Sequence, residues 1–284
     1  MLGHNHLGKN GRFGNQMFQY AATRGIAAAR GYDWCIPPGP KTDDEFEDEE
    51  NQHKLFMAFK LEGAKEVKMF PAPYKEEGSF RFDQDLVDNC EDNVNLYGYF
   101  QSEKYFKHIA NDIRKDFEWR DDVKKLCKEM IDSVGGKAIS LHVRRTDHLI
   151  KPTYHNVLPL SYYEEALSKI DNDFGVKVGH VGEEGPIPVL VFSDDPLWCH
   201  DEAFFNGDRF FISDSGDNIT DMCLMSMCNY HIMANSTFSW WGAWLSGSEH
   251  VIGPKMWFGP DGAEPTDIFL DRWEYLDVYR WIRG

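Results

Sequence analysis

Two adjacent arginines, Arg144 and Arg145, follow the apolar run Ala138–Val143 and are bracketed by His142 and Asp147. Neighbouring side chains leaving a strand point to opposite sides, so one arginine can face a ligand while the other pairs with an acid. A guanidinium fork fits phosphate or carboxylate oxygens bidentately and keeps its proton. Two more polar clusters, Ser193-Asp194-Asp195 and Asn235-Ser236-Thr237, also follow strand-like runs. Open parallel sheets bind ligands at the carboxyl ends of their strands, so the shared position of the three clusters marks a candidate anion site. Small hydroxyl residues between a strand and a helix supply a cap and leave backbone N–H groups that attract anions.

Other candidates carry less information. Gly11-Arg12-Phe13-Gly14-Asn15-Gln16 reads as a glycine loop before a helix, without the Gly-Lys-Ser/Thr ending of a P-loop. Asp194 and Asp195 are adjacent carboxylates with no His or third acid at ligand spacing, so no metal site is expected. Asp221, at the start of a helical run, is either a cap or an acceptor for a guanine-type N–H edge. The tryptophans of Trp240-Trp241-Gly242-Ala243-Trp244 read as packing residues rather than a sugar platform.

The elements that must position these residues fall into two halves. Helical spacing predicts helices over 16–30, from a Ser102 cap to Phe117, and over 123–134, so the first half reads as mainly helical. The second half alternates. Strands are expected at 138–143, 188–192, 231–234 and, last, 250–252, with helices at 221–230, 236–245 and after a Ser161–Glu164 capping box. Such alternation predicts an α/β unit with a parallel sheet. The expected boundary is Gly135-Gly136, giving a first domain over 1–135 and a second over 136–284. The acidic run 43–50, after Pro37-Pro38-Gly39-Pro40, reads as a solvated loop.

The 284 residues carry 47 acidic and 30 basic side chains, a net charge of −17, which argues against nucleic-acid partners and anionic membrane surfaces. Residues 1–132 hold 19 basic and 25 acidic groups, whereas residues 133–284 hold 11 and 22. The more acidic half thus carries the candidate anion site. Screening over about 8–10 Å lets contacting arginines act despite that background. No run reaches the roughly 18 apolar residues of a membrane span, and the start lacks a secretory pattern. Six scattered cysteines form no two-residue-spaced pair, and a reducing, cytoplasmic setting is expected.

Several blocks resemble the family-eleven glycosyltransferases, the α-1,2-fucosyltransferases: Gly14-Asn15-Gln16-Met17-Phe18-Gln19-Tyr20-Ala21, Gly98-Tyr99-Phe100-Gln101-Ser102, His142-Val143-Arg144-Arg145-Thr146-Asp147, Phe192-Ser193-Asp194-Asp195, and Ala234 to Trp244. The third matches the H-x-R-R-x-D motif shared by several fucosyltransferase branches. The resemblance implies a GT-B architecture, two Rossmann-like domains facing across a cleft, with the second binding GDP-β-L-fucose without a metal or other cofactor. It implies that Arg144 holds the β-phosphate as the catalytic residue and that Arg145 supports the motif with Asp147. By the same likeness His142 and Asp221 lie near the guanosine, and Asn235, Ser236 and Thr237 hold the pyrophosphate. Asp194 and Ser239 belong to the same donor-binding set, and Gly14, Asn15 and Gln16 approach from the facing domain. A galactose-terminated glycan is the implied acceptor, held by first-domain loops. Two departures stand out: Met1 to Asn10 is polar where the family opens on an apolar strand, and Pro152 replaces the glutamate that the α-1,6 branch carries. No acid or histidine stands out as a base, and Asp147 reads as an arginine partner. Rival expectations are a fucosyltransferase of another linkage, a metal-dependent nucleotide phosphatase or kinase, and a non-catalytic sugar or nucleotide binder.

Overall fold

A computed structural model describes residues 1–37, 54–61, 65–66, 72–75, 80–173, 186–264 and 266–278. The acidic run 43–50 lies outside them. The chain divides into two compact units, Met1–Arg120 with Ala263–Leu270, and Asp121–Gly262 with Asp271–Gly284.

The first unit runs β1 (Leu2–Gly3), α1 (Phe13–Arg30), β2 (Trp34–Ile36), α2 (Leu55–Ala58), β3 (Lys65–Glu66), β4 (Ala72–Lys75), α3 (Gln84–Asn89), β5 (Val94–Tyr97) and α4 (Ala110–Asp116). Its five strands form one parallel sheet in the order β3-β2-β1-β5-β4. The first half, read as mainly helical α/β, thus carries beside its helices a parallel sheet whose strands were not foreseen. The strands have two to four residues, too few to show a period, and the central one is only Leu2-Gly3 within a polar stretch. Helix α1 buries Met17, Phe18, Ala21, Ala22 and Ile26, and stops where Gly31 takes a φ of 68° and donates to Ala27 and Ala28. Gly25 is required by a close crossing: a Cβ there would stand 2.1 Å from the Tyr105 carbonyl oxygen. Ser102 does cap its segment, but only as a 3-10 turn over Glu103–Tyr105. Phe106 then leaves helical geometry at φ −131°, its ring packing towards Phe18, and the helix resumes at α4.

The second unit runs α5 (Asp121–Ser133), β6 (Ile139–Val143), α6 (Thr146–Ile150), α7 (Leu160–Asp173), β7 (Val189–Ser193), α8 (Pro196–Asp201), β8 (Phe210–Ile212), α9 (Asn218–Met227), β9 (Tyr230–Ile232), α10 (Thr237–Ser246), β10 (Val251–Pro254) and β11 (Glu274–Leu276). The six strands are parallel in the order β11-β10-β9-β6-β7-β8. Counting from β6, this is the 3-2-1-4-5-6 order of a Rossmann sheet, whose switch point lies between β6 and β9. All five residues of β6 are buried, as a central parallel strand requires.

Four expectations shift here. The unit begins at Asp121 rather than after Gly135-Gly136, because α5 packs its buried Cys127 and Ile131 onto this unit, against α9. Helix α7 starts at Leu160, so Ser161 sits inside it and not at its cap. Helix α9 is capped by Asp217, whose carboxylate accepts from Ile219 and Thr220, which leaves Asp221 inside the first turn. A further strand, β11, follows the run expected to be last, since an exposed start and three residues give little pattern. Trp240, Trp241 and Trp244 are buried on α10 and pack on one another and on Trp273, as packing residues should. No helix among the described residues is long and apolar enough to cross a membrane.

Candidate functional site

At the switch point of the second unit, β6 delivers His142, Arg144 and Arg145, while β9 leads through Ala234 and Asn235 into α10. One contact ties the two strand ends together. The His142 Nδ1 lies 3.0 Å from Ser239 Oγ, both residues being buried. Burial, and then the nearby Arg144 charge, push the His142 pKa down to about 3, so the ring is neutral.

Arg144 is held by two carboxylates, Nη2 lying 2.7 Å from Asp147 Oδ1 and Nη1 3.3 Å from Asp194 Oδ2. A guanidinium carries five N–H donors, so this clamp fixes the fork and leaves donors for an incoming oxyanion. Asp147, expected to orient one arginine of the pair, meets Arg144: on the first turn of α6, it is three residues from Arg144 and faces it. Arg145 turns the other way. Its Nε lies 3.1 Å from Asp195 Oδ2 and its guanidinium 3.8 Å above the Trp198 ring. The alternation of the strand end separates the pair, but both meet acids: Arg144 pairs with Asp147 and Asp194, and Arg145 with Asp195, where only one of the two was expected to do so.

Asp194 organises this turn. Its carboxylate accepts from the Arg145 N–H at 2.9 Å, the Thr146 N–H at 3.2 Å and the Thr146 hydroxyl. Burial alone would raise its pKa, but the Arg144 charge and those donors bring it below the ordinary aspartate range. Asp195 instead caps α8, accepting from Trp198 N at 3.3 Å. Asp194→Ala is expected to cost about 2 kcal/mol, because it leaves Arg144 with Asp147 alone and removes the acceptor of the Arg145 and Thr146 amides. Urea unfolding checks this, and an unchanged midpoint would refute the clamp.

On the β9 side, Ser236 caps α10 and accepts from Phe238 N at 3.3 Å. Ten residues of helix then point their positive end at the space next to Arg144's strand. Asn235 behaves differently from expectation. Its Nδ2 donates to the Asn156 and Trp257 carbonyls, at 2.9 Å each, so its amide fastens two loops instead of reaching outwards. Asp221 is held by Ser213 Oγ at 2.6 Å and Ser215 Oγ at 2.8 Å, just past β8. Burial raises its pKa against the pull of those hydroxyls.

Gly14, Asn15 and Gln16 belong to the first unit and lie in the opening turn of α1, not in a loop. Asn15 Oδ1 accepts from Gln101 Nε2 at 2.9 Å, and Gln19 Nε2 donates to the Gly98 carbonyl at 3.1 Å. The two glycine-led blocks of this unit therefore touch. Buried Gln16 accepts from Lys54 N at 3.0 Å.

Sequence reasoning passed over Thr146, Ser213, Ser215, Asn156 and Trp257. Only the serines left a signal, a Ser-Asp-Ser triplet directly after a short apolar run. The partners of Asn235 are 79 and 22 residues away and left none.

Residues 73–277 match the family described as Glycosyl transferase family 11. The O-antigen biosynthesis glycosyltransferase WbnK of Escherichia coli is 31% identical over 206 residues, which are 66% of this chain and 64% of that protein. An α-1,2-colitosyltransferase of Escherichia coli is 27% identical over 293 residues, covering 94% of this chain and 97% of the relative. Human galactoside α-(1,2)-fucosyltransferase 1 is 27% identical over 287 residues, covering 93% and 72%. Among solved structures, fucosyltransferase NodZ from Bradyrhizobium aligns with a TM-score of 0.58 at 15% identity, over 90% of this chain and 94% of that one. POFUT1 in complex with GDP aligns at 0.55 and 12%, over 87% and 94%. At such identities these two likenesses are of fold.

Proposed function

The chain belongs to glycosyl transferase family 11, and from that premise we propose that it transfers L-fucose from GDP-β-L-fucose to the 2-hydroxyl of a terminal galactose, with inversion and without a metal. The observation that carries the donor half of this reading is the carboxylate-clamped Arg144 beside a capped helix start, flanking a Rossmann switch point. In the reaction, the acceptor hydroxyl oxygen bonds to the anomeric carbon, the bond from that carbon to the β-phosphate oxygen breaks, and the hydroxyl proton passes to the departing GDP or to water. Negative charge grows on the departing GDP. Arg144 and the N-terminus of α10 stabilise that charge in this reading, which is the service a metal ion gives elsewhere. Neutral His142 and buried Ser239 tie the end of β6 to the first turn of α10, and Asp221 with its serines offers acceptors for a nucleoside past β8.

GDP at 100 times its Kd is expected to stabilise the protein by about 2.7 kcal/mol, with UDP and ADP giving much less, as read by thermal shift. An equal rise with ADP would overturn the guanosine reading. Release of GDP from GDP-fucose in the presence of a β-galactoside and excess chelator checks the transfer and its metal independence together. Turnover lost in chelator and restored by a divalent cation would overturn the metal independence. The α-1,2-colitosyltransferase relative supports a second reading, in which the transferred sugar is a deoxygenated analogue of fucose. Competition between the two GDP-sugars separates them.

A further inference from the structure

Two segments of the second unit, residues 150–155 after α6 and residues 257–262 after β10, close on each other and leave a groove of about 530 Å³. The pairing is built rather than incidental. Gly259 N donates to the Tyr154 carbonyl at 2.8 Å, and Asp261 N to that of Thr153 at 2.9 Å. Gly259 permits the approach, because a Cβ there would stand 2.4 Å from the Thr153 oxygen. Inside the first segment, Tyr154 N and His155 N both reach the Lys151 carbonyl, at 3.0 and 2.7 Å. Two of the lining residues are aromatic and packed in place: His155 stacks on buried His148 with centroids 4.6 Å apart and planes 5° from parallel, and Tyr154 stands edge-on to His155 at 4.8 Å.

The groove is also wired to the switch point. The single Asn235 amide holds Asn156, the residue after the first segment, and Trp257, the first residue of the second, and His148 Nδ1 lies 3.3 Å from the same Asn156 carbonyl. Arg145 O accepts from Leu149 N at 2.8 Å, so the turn that carries Arg144 runs directly into the groove wall.

The lining decides the ligand class. Lys151 offers only donors, Asp261 only acceptors and the Thr153 hydroxyl both, while Ile150, Pro152 and the rings of Tyr154 and His155 add apolar surface between them. One cation balanced by one anion does not select a phosphate. The interrupted apolar surface does not suit a lipid. Mixed donors and acceptors around apolar surface suit a neutral, polyhydroxylated ring whose C–H side is apolar, and the volume falls within the range of small-molecule sites. Resting on the transfer reaction proposed above, we infer that this groove is the subsite for the terminal hexose of the acceptor, a neutral β-pyranoside. Acceptor recognition then draws on the second unit, and not only on loops of the first.

The test is saturation-transfer NMR with methyl β-D-galactopyranoside in the presence of GDP, on the wild type and on Lys151→Ala, Asp261→Ala and His155→Ala. Lys151 and Asp261 are exposed, so their truncation leaves the core untouched. Each variant is expected to weaken galactoside binding about tenfold and to raise the acceptor KM equally, while the GDP-induced thermal shift and the donor KM stay within twofold. Unchanged galactoside binding in all three overturns the inference, as does a donor KM that rises in step. If the wild type binds GDP yet shows no saturation transfer, the groove assignment falls and the donor reading stands. If it binds the galactoside but not GDP, the reverse holds.

Discussion

Arg144→Ala is expected to lower transfer by on the order of 10²–10³, the usual loss when one preorganised donor to a developing oxyanion is removed. The geometry explains why nothing nearby replaces it. Arg145 is committed to Asp195 and to the Trp198 face, on the other side of the strand end. Residues 133–284 contain only 11 basic side chains in all. Arg144→Lys should recover little, since an ammonium cannot span Asp147 and Asp194 in one plane while still presenting a fork. Losing the guanidinium also leaves two carboxylates facing each other, so rates must be compared per folded molecule, with the folded fraction read by circular dichroism. A folded Arg144→Ala protein with full turnover would remove this residue from the mechanism.

The second large effect is on stability in weak acid. His4, His142 and His231 are buried, and burial before anything else lowers their pKa values to about 4, 3 and 3. Each ring has a partner on one nitrogen: His4 Nε2 at the Gly98 carbonyl, His142 Nδ1 at Ser239, His231 Nδ1 at Ser140. For His4 and His231 the other nitrogen is buried without a hydrogen bond, so a second proton would enter a dry core. The folded pKa values lie below the unfolded value of about 6.5, so the stability is fully present above pH 6.5 and drains away as pH falls towards 3–4. Each histidine contributes a slope of up to about 1.4 kcal/mol per pH unit, and the second unit holds two of the three. Urea midpoints should therefore fall steadily between pH 6.5 and 4.5, well above the range where Asp194 begins to protonate. A midpoint that stays flat from pH 7 to 5 would contradict the neutral, dry histidines.

The second unit was largely legible in its sequence because its central strands are long enough to show themselves. Ile139–Val143 and Val189–Ser193 are apolar runs buried nearly throughout, and each ends on the polar cluster that marks the site. The first unit was not, since Leu2-Gly3 and Trp34–Ile36 owe their strand state to a sheet assembled from distant neighbours. Site chemistry divided along the same line. That the two arginines part to different partners follows from alternation, but which of them meets Asp147 depends on how tightly the chain turns into α6. Asn235 shows the limit most clearly. A position beside a helix start suggested an anion ligand, and tertiary carbonyls 79 and 22 residues away claimed its amide instead.

All six cysteines are free and buried, Cys35 and Cys90 in the first unit and Cys127, Cys199, Cys223 and Cys228 in the second. Burial lifts the Cys35 and Cys199 thiols to about 11 and raises Cys90 and Cys228 as well, so the native molecule offers alkylating reagents little thiolate. The chain therefore carries its own labels for opening. Pulse alkylation followed by peptide mass analysis times the two units separately, from two sulfurs in one and four in the other, with no engineered probe.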